Sequence, residues 1–121
     1  MTQAQNTITV HNTLLTPVEF NGQRVVTLAM IDRVHQRPEG TARKRFNDNK
    51  ERFVSGEDYF IRNPDEALKE LEIIAPNGLT LLTETGYLML VKSFTDDLAW
   101  QVQRELVNSY FRAQPTNNIH F

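Results

Sequence analysis

The sequence predicts an α+β fold in one compact domain, and three observations carry that expectation. Asn21-Gly22 sits between the short β-prone runs PVEF and QRVV, the pattern of a two-residue hairpin. Two stretches of helical apolar spacing follow, separated by the breaker Arg37-Pro38-Glu39-Gly40. Beyond them, short strand-like runs alternate with helical ones. A chain of 121 residues with 40% hydrophobic and 23% charged residues can fill a single core and does not have the composition of a disordered protein.

The N-terminal arm alternates polar and apolar through Ile8 and Val10, a weak strand signal. At Asn21-Gly22 a type I′ turn needs positive φ at both positions, and it sets Phe20 opposite Gln23, Glu19 opposite Arg24 and Val18 opposite Val25. That register puts Val18, Phe20 and Val25 on one side and an opposite-charge pair on the other. Thr27 can cap a helix reaching residue 36, with Leu28, Ile31 and Val34 (or Met30) on its apolar face. Thr41 is the expected N-cap of a second helix that runs to Phe53, with Ala42, Phe46 and Phe53 as its buried stripe. Two short helices joined by a turn are the skeleton of a helix-turn-helix.

Ser55-Gly56 ends that helix, and DYFIR, residues 58–62, reads as a short strand. Asn63 caps an acidic helix over 64–74, where Pro64, Asp65 and Glu66 suit the positive end of the helix dipole. Pro76-Asn77-Gly78 is a turn, and LTLL after it is either a strand or an extended lead-in. Thr83 and Gly86 begin a helix with Tyr87, Leu88, Leu90 and Val91. Thr95-Asp96-Asp97 opens the last helix, whose Leu98, Val102, Leu106 and Tyr110 recur every four residues, widened by Trp100, Val107 and Phe111. Packing inside the monomer is the default for this stripe; the alternative is a homodimer interface at Leu98, Trp100, Val107 and Phe111. The domain is expected over residues 1–113, followed by a polar tail over 114–121.

The absence of cysteine excludes disulfides and thiolate metal sites and suits the cytosol. The opening MTQAQNTITV lacks the basic and apolar regions of a secretory signal, and no apolar run nears the ~20 residues of a membrane span. A cytoplasmic protein with no membrane partner is expected. The net charge of −2 hides an asymmetry: residues 33–53 carry seven basic and three acidic side chains, a local +4 that leaves −6 elsewhere. Such a patch attracts phosphate even on a slightly acidic chain.

Signatures of catalysis are mostly absent. His11, His35 and His120 are scattered without ligand spacing, so no metal site is expected and each reads as a surface or turn residue. The five glycines form no phosphate loop or nucleophile elbow. Asp65, Glu66, Glu70 and Glu72 share one predicted helix, where a solvated face explains them better than an acid/base pair. Neither enzymatic activity nor a cofactor is expected.

The segment TARKRFNDNKERF is the remaining candidate. Opposite its apolar stripe stand Arg43, Lys44, Asn47 and Lys50, with Arg45, Asn49 and Arg52 flanking it. Cations displace counterions from a phosphate backbone, and Arg and Asn reach base edges bidentately. The start of such a helix would also offer free backbone N–H groups to a phosphate. On residue pattern alone the simpler reading is a solvated face, with Lys44 and Asp48 as an i,i+4 pair.

The runs FNGQRVVTLAMIDRVHQRP, RKRFNDNKERFVSGEDYFIR and GLTLLTETGYLMLVKSF, over residues 18–94, resemble the phage relatives of the KilA-N/Bro-N superfamily. These are N-terminal domains of phage antirepressor and regulatory proteins and of large-DNA-virus proteins; NDNKERFVSGEDYF is the most telling piece. The resemblance implies a compact α+β domain that binds DNA. Carried over by position, it makes the second helix the DNA-facing element, through Arg43, Lys44, Arg45, Asn47, Asn49, Lys50 and Arg52. The expected function is therefore a phage- or prophage-type, non-enzymatic regulator of duplex DNA, acting as a homodimer. Lys44, Arg45, Lys50 and Arg52 would meet phosphates, and Arg43 and Asn47 base edges. The second expectation is an antirepressor-like module that binds a repressor or host protein through its acidic or closing helix.

Overall fold

Two hairpins in succession build the first part of the chain. The computed structural model describes residues 7–113. Strands β1 (Ile8–Val10) and β2 (Thr13–Leu15) pair antiparallel across His11-Asn12, whose φ values of 49° and 68° are both left-handed. Only the first of these strands is signalled in the sequence; the tolerance of Asn and His for positive φ supplies the turn. β3 (Val18–Phe20) and β4 (Gln23–Thr27) form the expected hairpin in the expected register, with Asn21 and Gly22 at φ 56° and 78°. Glu19 and Arg24 face each other across it at 3.4 Å.

β5 (Tyr59–Arg62) lies at the far edge of a four-stranded antiparallel sheet of order β3-β4-β6-β5. Its partner β6 (Leu79–Leu82) is the LTLL run, which is thus an interior strand with Leu81 and Leu82 fully buried. The helices are α1 (Leu28–Val34), α2 (Thr41–Asp48), α3 (Pro64–Leu71), α4 (Glu84–Leu90) and α5 (Asp97–Leu106). Side-chain caps start three of them as expected: Thr27 on Met30, the Asn63/Glu66 capping box, and Thr83 on Gly86. α1 and α3 stop earlier than the apolar spacing predicts, because Gln36 and Glu72 turn left-handed at φ 55° and 59°. α5 passes into a π turn, Val107–Phe111.

The core joins the first hairpin to α1, α2, α4 and α5 through Val10, Ile31, Phe46, Leu90, Val102 and Leu106. Tyr110 locks the closing turn to the second hairpin: its hydroxyl donates to the Val25 carbonyl at 2.6 Å and accepts from the Val18 N–H at 2.9 Å. The loop before β5 is stitched to the start of α4. The Thr83 N–H donates to the Asp58 carbonyl at 3.0 Å, and the Thr85 hydroxyl donates to the Asp58 carboxylate at 2.8 Å. Gly86 permits this approach, since a Cβ there would lie 2.0 Å from the Asp58 carbonyl oxygen.

His35 corrects the sequence reading of a surface or turn residue. It is 2% exposed, its Nε2 lies 2.6 Å from the Tyr87 hydroxyl, and its ring meets Phe94 edge-on. It follows Ile31 by one helical turn, so the apolar stripe of α1 carries it inward. Burial, then the Arg37 charge, lowers its pKa to about 4, with Asp96 opposing.

Two measurements check this packing. Gly86→Ala should destabilise the protein by about 2–3 kcal/mol or more in thermal unfolding; an unchanged melting temperature contradicts the close approach. Because the unfolded chain takes up the His35 proton near its ordinary 6.5 and the fold resists it until about 4, this contribution is complete above about pH 6.5 and shrinks as pH falls towards 4. Urea melts across that window should show a steeper loss in wild type than in His35→Gln.

Candidate nucleic-acid interface

Helix α2 is placed by a carboxylate from the helix before it. Asp32, 5% exposed on α1, accepts from the Gly40 N–H through Oδ2 and from the Ala42 N–H through Oδ1, both at 2.9 Å. The Thr41 N–H and hydroxyl both donate to the Pro38 carbonyl, at 3.1 and 2.7 Å. The N-cap is therefore Gly40, at φ 96°, and Thr41 is the first helical residue rather than the cap. This narrows the expectation of a free helix start for phosphate: the N–H groups of residues 40–42 are engaged inside the fold, and the dipole end already faces the Asp32 carboxylate. Sequence reasoning missed Asp32. Its signal is an acidic residue beside Ile31 on the inward stripe of α1, with no other partner in its own helix.

The basic segment is two elements, not one helix to Phe53. α2 ends at Asp48, Asn49 leaves helical geometry at φ −121°, ψ 21°, and a 3-10 turn, Lys50–Arg52, follows. The Asn49 side chain donates to the Arg45 carbonyl at 2.9 Å and so finishes the helix as well as sitting on its flank. Ala42, Phe46 and Phe53 are buried as expected, and the Phe46 ring packs on Phe53 and Tyr59 at centroid distances of 5.1 and 5.0 Å. The tighter turn brings Phe53 back over Phe46, which continued α-helix need not have done.

This anchoring turns the polar residues outward. Arg43, Lys44, Asn47, Lys50 and Arg52 are exposed; Arg45 and Asn49 are half-buried. Arg43 and Asn47, one turn apart, line a cleft that also holds Ile61, Ile74 and Leu79, while Arg45, Asn49 and Arg52 lie along the other flank. Lys44 pairs with Asp48 at 3.1 Å, an exposed i,i+4 contact worth well under about 1 kcal/mol. Among the described residues Arg43, Arg45, Lys50 and Arg52 have no ion-pair partner, whereas Arg24, Arg37, Arg62 and Arg112 each meet a carboxylate. Arg33, Lys69, Lys92 and Arg104 are likewise without an ion pair among the described residues, so α2 and the turn after it carry half of the unpaired cations, gathered within ten residues.

The other expected surfaces divide. Leu98 and Phe111 pack against the core, and Phe111 stacks on Tyr87 at 5.6 Å; Val107 is half-buried, and Trp100 is 67% exposed on α5. On α3, Glu66 and Glu70 hold Arg62 at 3.1 and 3.0 Å, which leaves Asp65 and Glu72 without an ion pair among the described residues. His11 lies in a turn; His120 and the tail over 114–121 fall outside the described residues. Among the described residues no helix is long and apolar enough to cross a membrane, and no three metal-ligating side chains gather.

Comparison with known proteins adds one finding. The family model described as ORF6N domain matches residues 15–93, which span the second hairpin, α1 to α4 and the whole four-stranded sheet and leave α5 outside. No curated protein and no solved structure matches. Since the matched span is more than half of the chain, the protein belongs to the ORF6N domain family, a phage antirepressor-type family of the Bro-N kind.

Proposed function

We propose that the protein is a phage- or prophage-type regulator, of the KilA-N/Bro-N kind, that binds duplex DNA through α2 and the turn that follows it. The observation that carries this reading is the row of exposed cations without carboxylate partners, Arg43, Lys50 and Arg52, on an element clamped by Asp32 and Phe46. An α-helix with its side chains is about 10–12 Å across, which suits a major groove about 12 Å wide, and α2 is such a helix. Arg43 and Asn47 share a flank, as side chains that read base edges must, while Lys44, Arg45, Lys50 and Arg52 serve phosphates. The weak Lys44–Asp48 pair yields to a phosphate at little cost. The protein acts by binding, without catalysis or a cofactor, and a homodimer would present two such helices.

A second reading rests on Trp100, a large apolar side chain left in solvent on α5. There the protein is an antirepressor-like module, and α5 or the acidic α3, with its exposed Leu68, meets a repressor or host protein. Salt separates the two, since phosphate contacts weaken steeply with ionic strength and an apolar interface does not.

Fluorescence anisotropy with duplex DNA tests the first reading. Lys50→Ala should weaken every sequence alike and lower the salt slope by about one. Arg43→Ala should cost about 1–3 kcal/mol at a preferred site and relax its preference. Equal binding by wild type and the Arg43→Ala/Lys44→Ala/Lys50→Ala protein would sink it.

A further inference from the structure

The flank of α2 away from Arg43 and Asn47 forms a groove of about 230 Å3. Arg45, Asn49 and Arg52 line one wall. Met89, Lys92 and Ser93 line the other, from the end of α4 and the 3-10 turn Val91–Ser93. Buried Phe53 and Leu90 supply its apolar atoms. No acidic residue lines it, and Arg45, Arg52 and Lys92 have no ion-pair partner among the described residues. The contrast with the groove beside α5 is sharp: there Arg112 meets Glu84 at 2.6 Å and its charge is answered within the fold.

Three like charges around one concavity raise its potential and attract an anion. The charged donors are two guanidinium forks and an ammonium, joined by the Ser93 hydroxyl. A tetrahedral oxyanion, with oxygens pointing in several directions, accepts from such a set more fully than a planar carboxylate does.

We propose that this groove is a phosphate seat in which Lys92, from outside the helix pair, faces Arg45 and Arg52. A duplex lying on α2 would place a backbone phosphate there, a step that rests on the DNA reading above. The strand would then be gripped from two elements, and the footprint would extend from α2 to the turn after α4.

Two ligands separate the sources of phosphate: inorganic pyrophosphate followed by amide NMR, and duplex DNA followed by anisotropy, each with wild type, Lys92→Ala and Lys92→Arg. Lys92 is exposed, and far-UV circular dichroism verifies that both variants fold. Pyrophosphate should shift the amides of Asn49, Lys92 and Ser93 saturably in wild type and Lys92→Arg but not in Lys92→Ala. Lys92→Ala should also lower the duplex salt slope by about one for every sequence, with Lys92→Arg restoring it. Pyrophosphate binding without duplex binding, or with a duplex affinity indifferent to Lys92, keeps the seat and assigns it to free phosphate; the former result removes the DNA reading as well. Duplex binding that ignores Lys92, with no pyrophosphate shifts, overturns the seat and leaves the DNA reading standing. Silence with both ligands overturns the seat too.

Discussion

The buried Asp32 carboxylate is the contact on which the basic surface depends. A carboxylate this far from water is tolerable only when its oxygens are well paired, and both are: each accepts a backbone N–H from the start of α2. The positive end of the helix dipole adds to the attraction. The result is a joint between α1 and α2 that fixes where the second helix begins and engages the N–H groups of residues 40–42 within the fold. Once that end is set and Phe46 is buried, helical geometry decides the rest: residues 43 and 47 go to one flank, 45 and 49 to the other, and 44 and 48 to the crest.

The remainder of the domain holds that joint still. Tyr110 reaches from the closing turn to both strands of the second hairpin, so β4 and the Thr27 cap that starts α1 are tied to α5. The Asp58 loop, drawn against Thr83 and Gly86, sets the position of α4 and so of Lys92 relative to Arg52. A surface held in this way is preorganised, and a ligand that bound it would meet little ordering cost.

Much of this architecture was legible in the sequence, for local reasons. Asn21-Gly22 dictates its turn within a few residues, and Thr27, Asn63 and Thr83 cap helices through bonds to the third residue on. The stripe of Ala42, Phe46 and Phe53 pointed the basic side chains outward, although the helix breaks before Phe53. What escaped was set by partners distant in the chain. Asp32 looks like any surface acid until Gly40 and Ala42 fold back onto it, and His35 like a turn residue until Tyr87 and Phe94 close over it. Lys92 shares no local pattern with Arg45 and Arg52; only the packing of α4 on α2 brings them to one groove.

The central claim is that an Asp32-clamped α2 presents the surface that meets duplex DNA. Hydrogen–deuterium exchange, resolved to short segments and compared with and without duplex, tests it most directly. The account predicts added protection across residues 43–53 and 91–93, with α3 and the exposed face of α5 unchanged. Protection confined to α3 or α5, or none at saturating duplex, would contradict it.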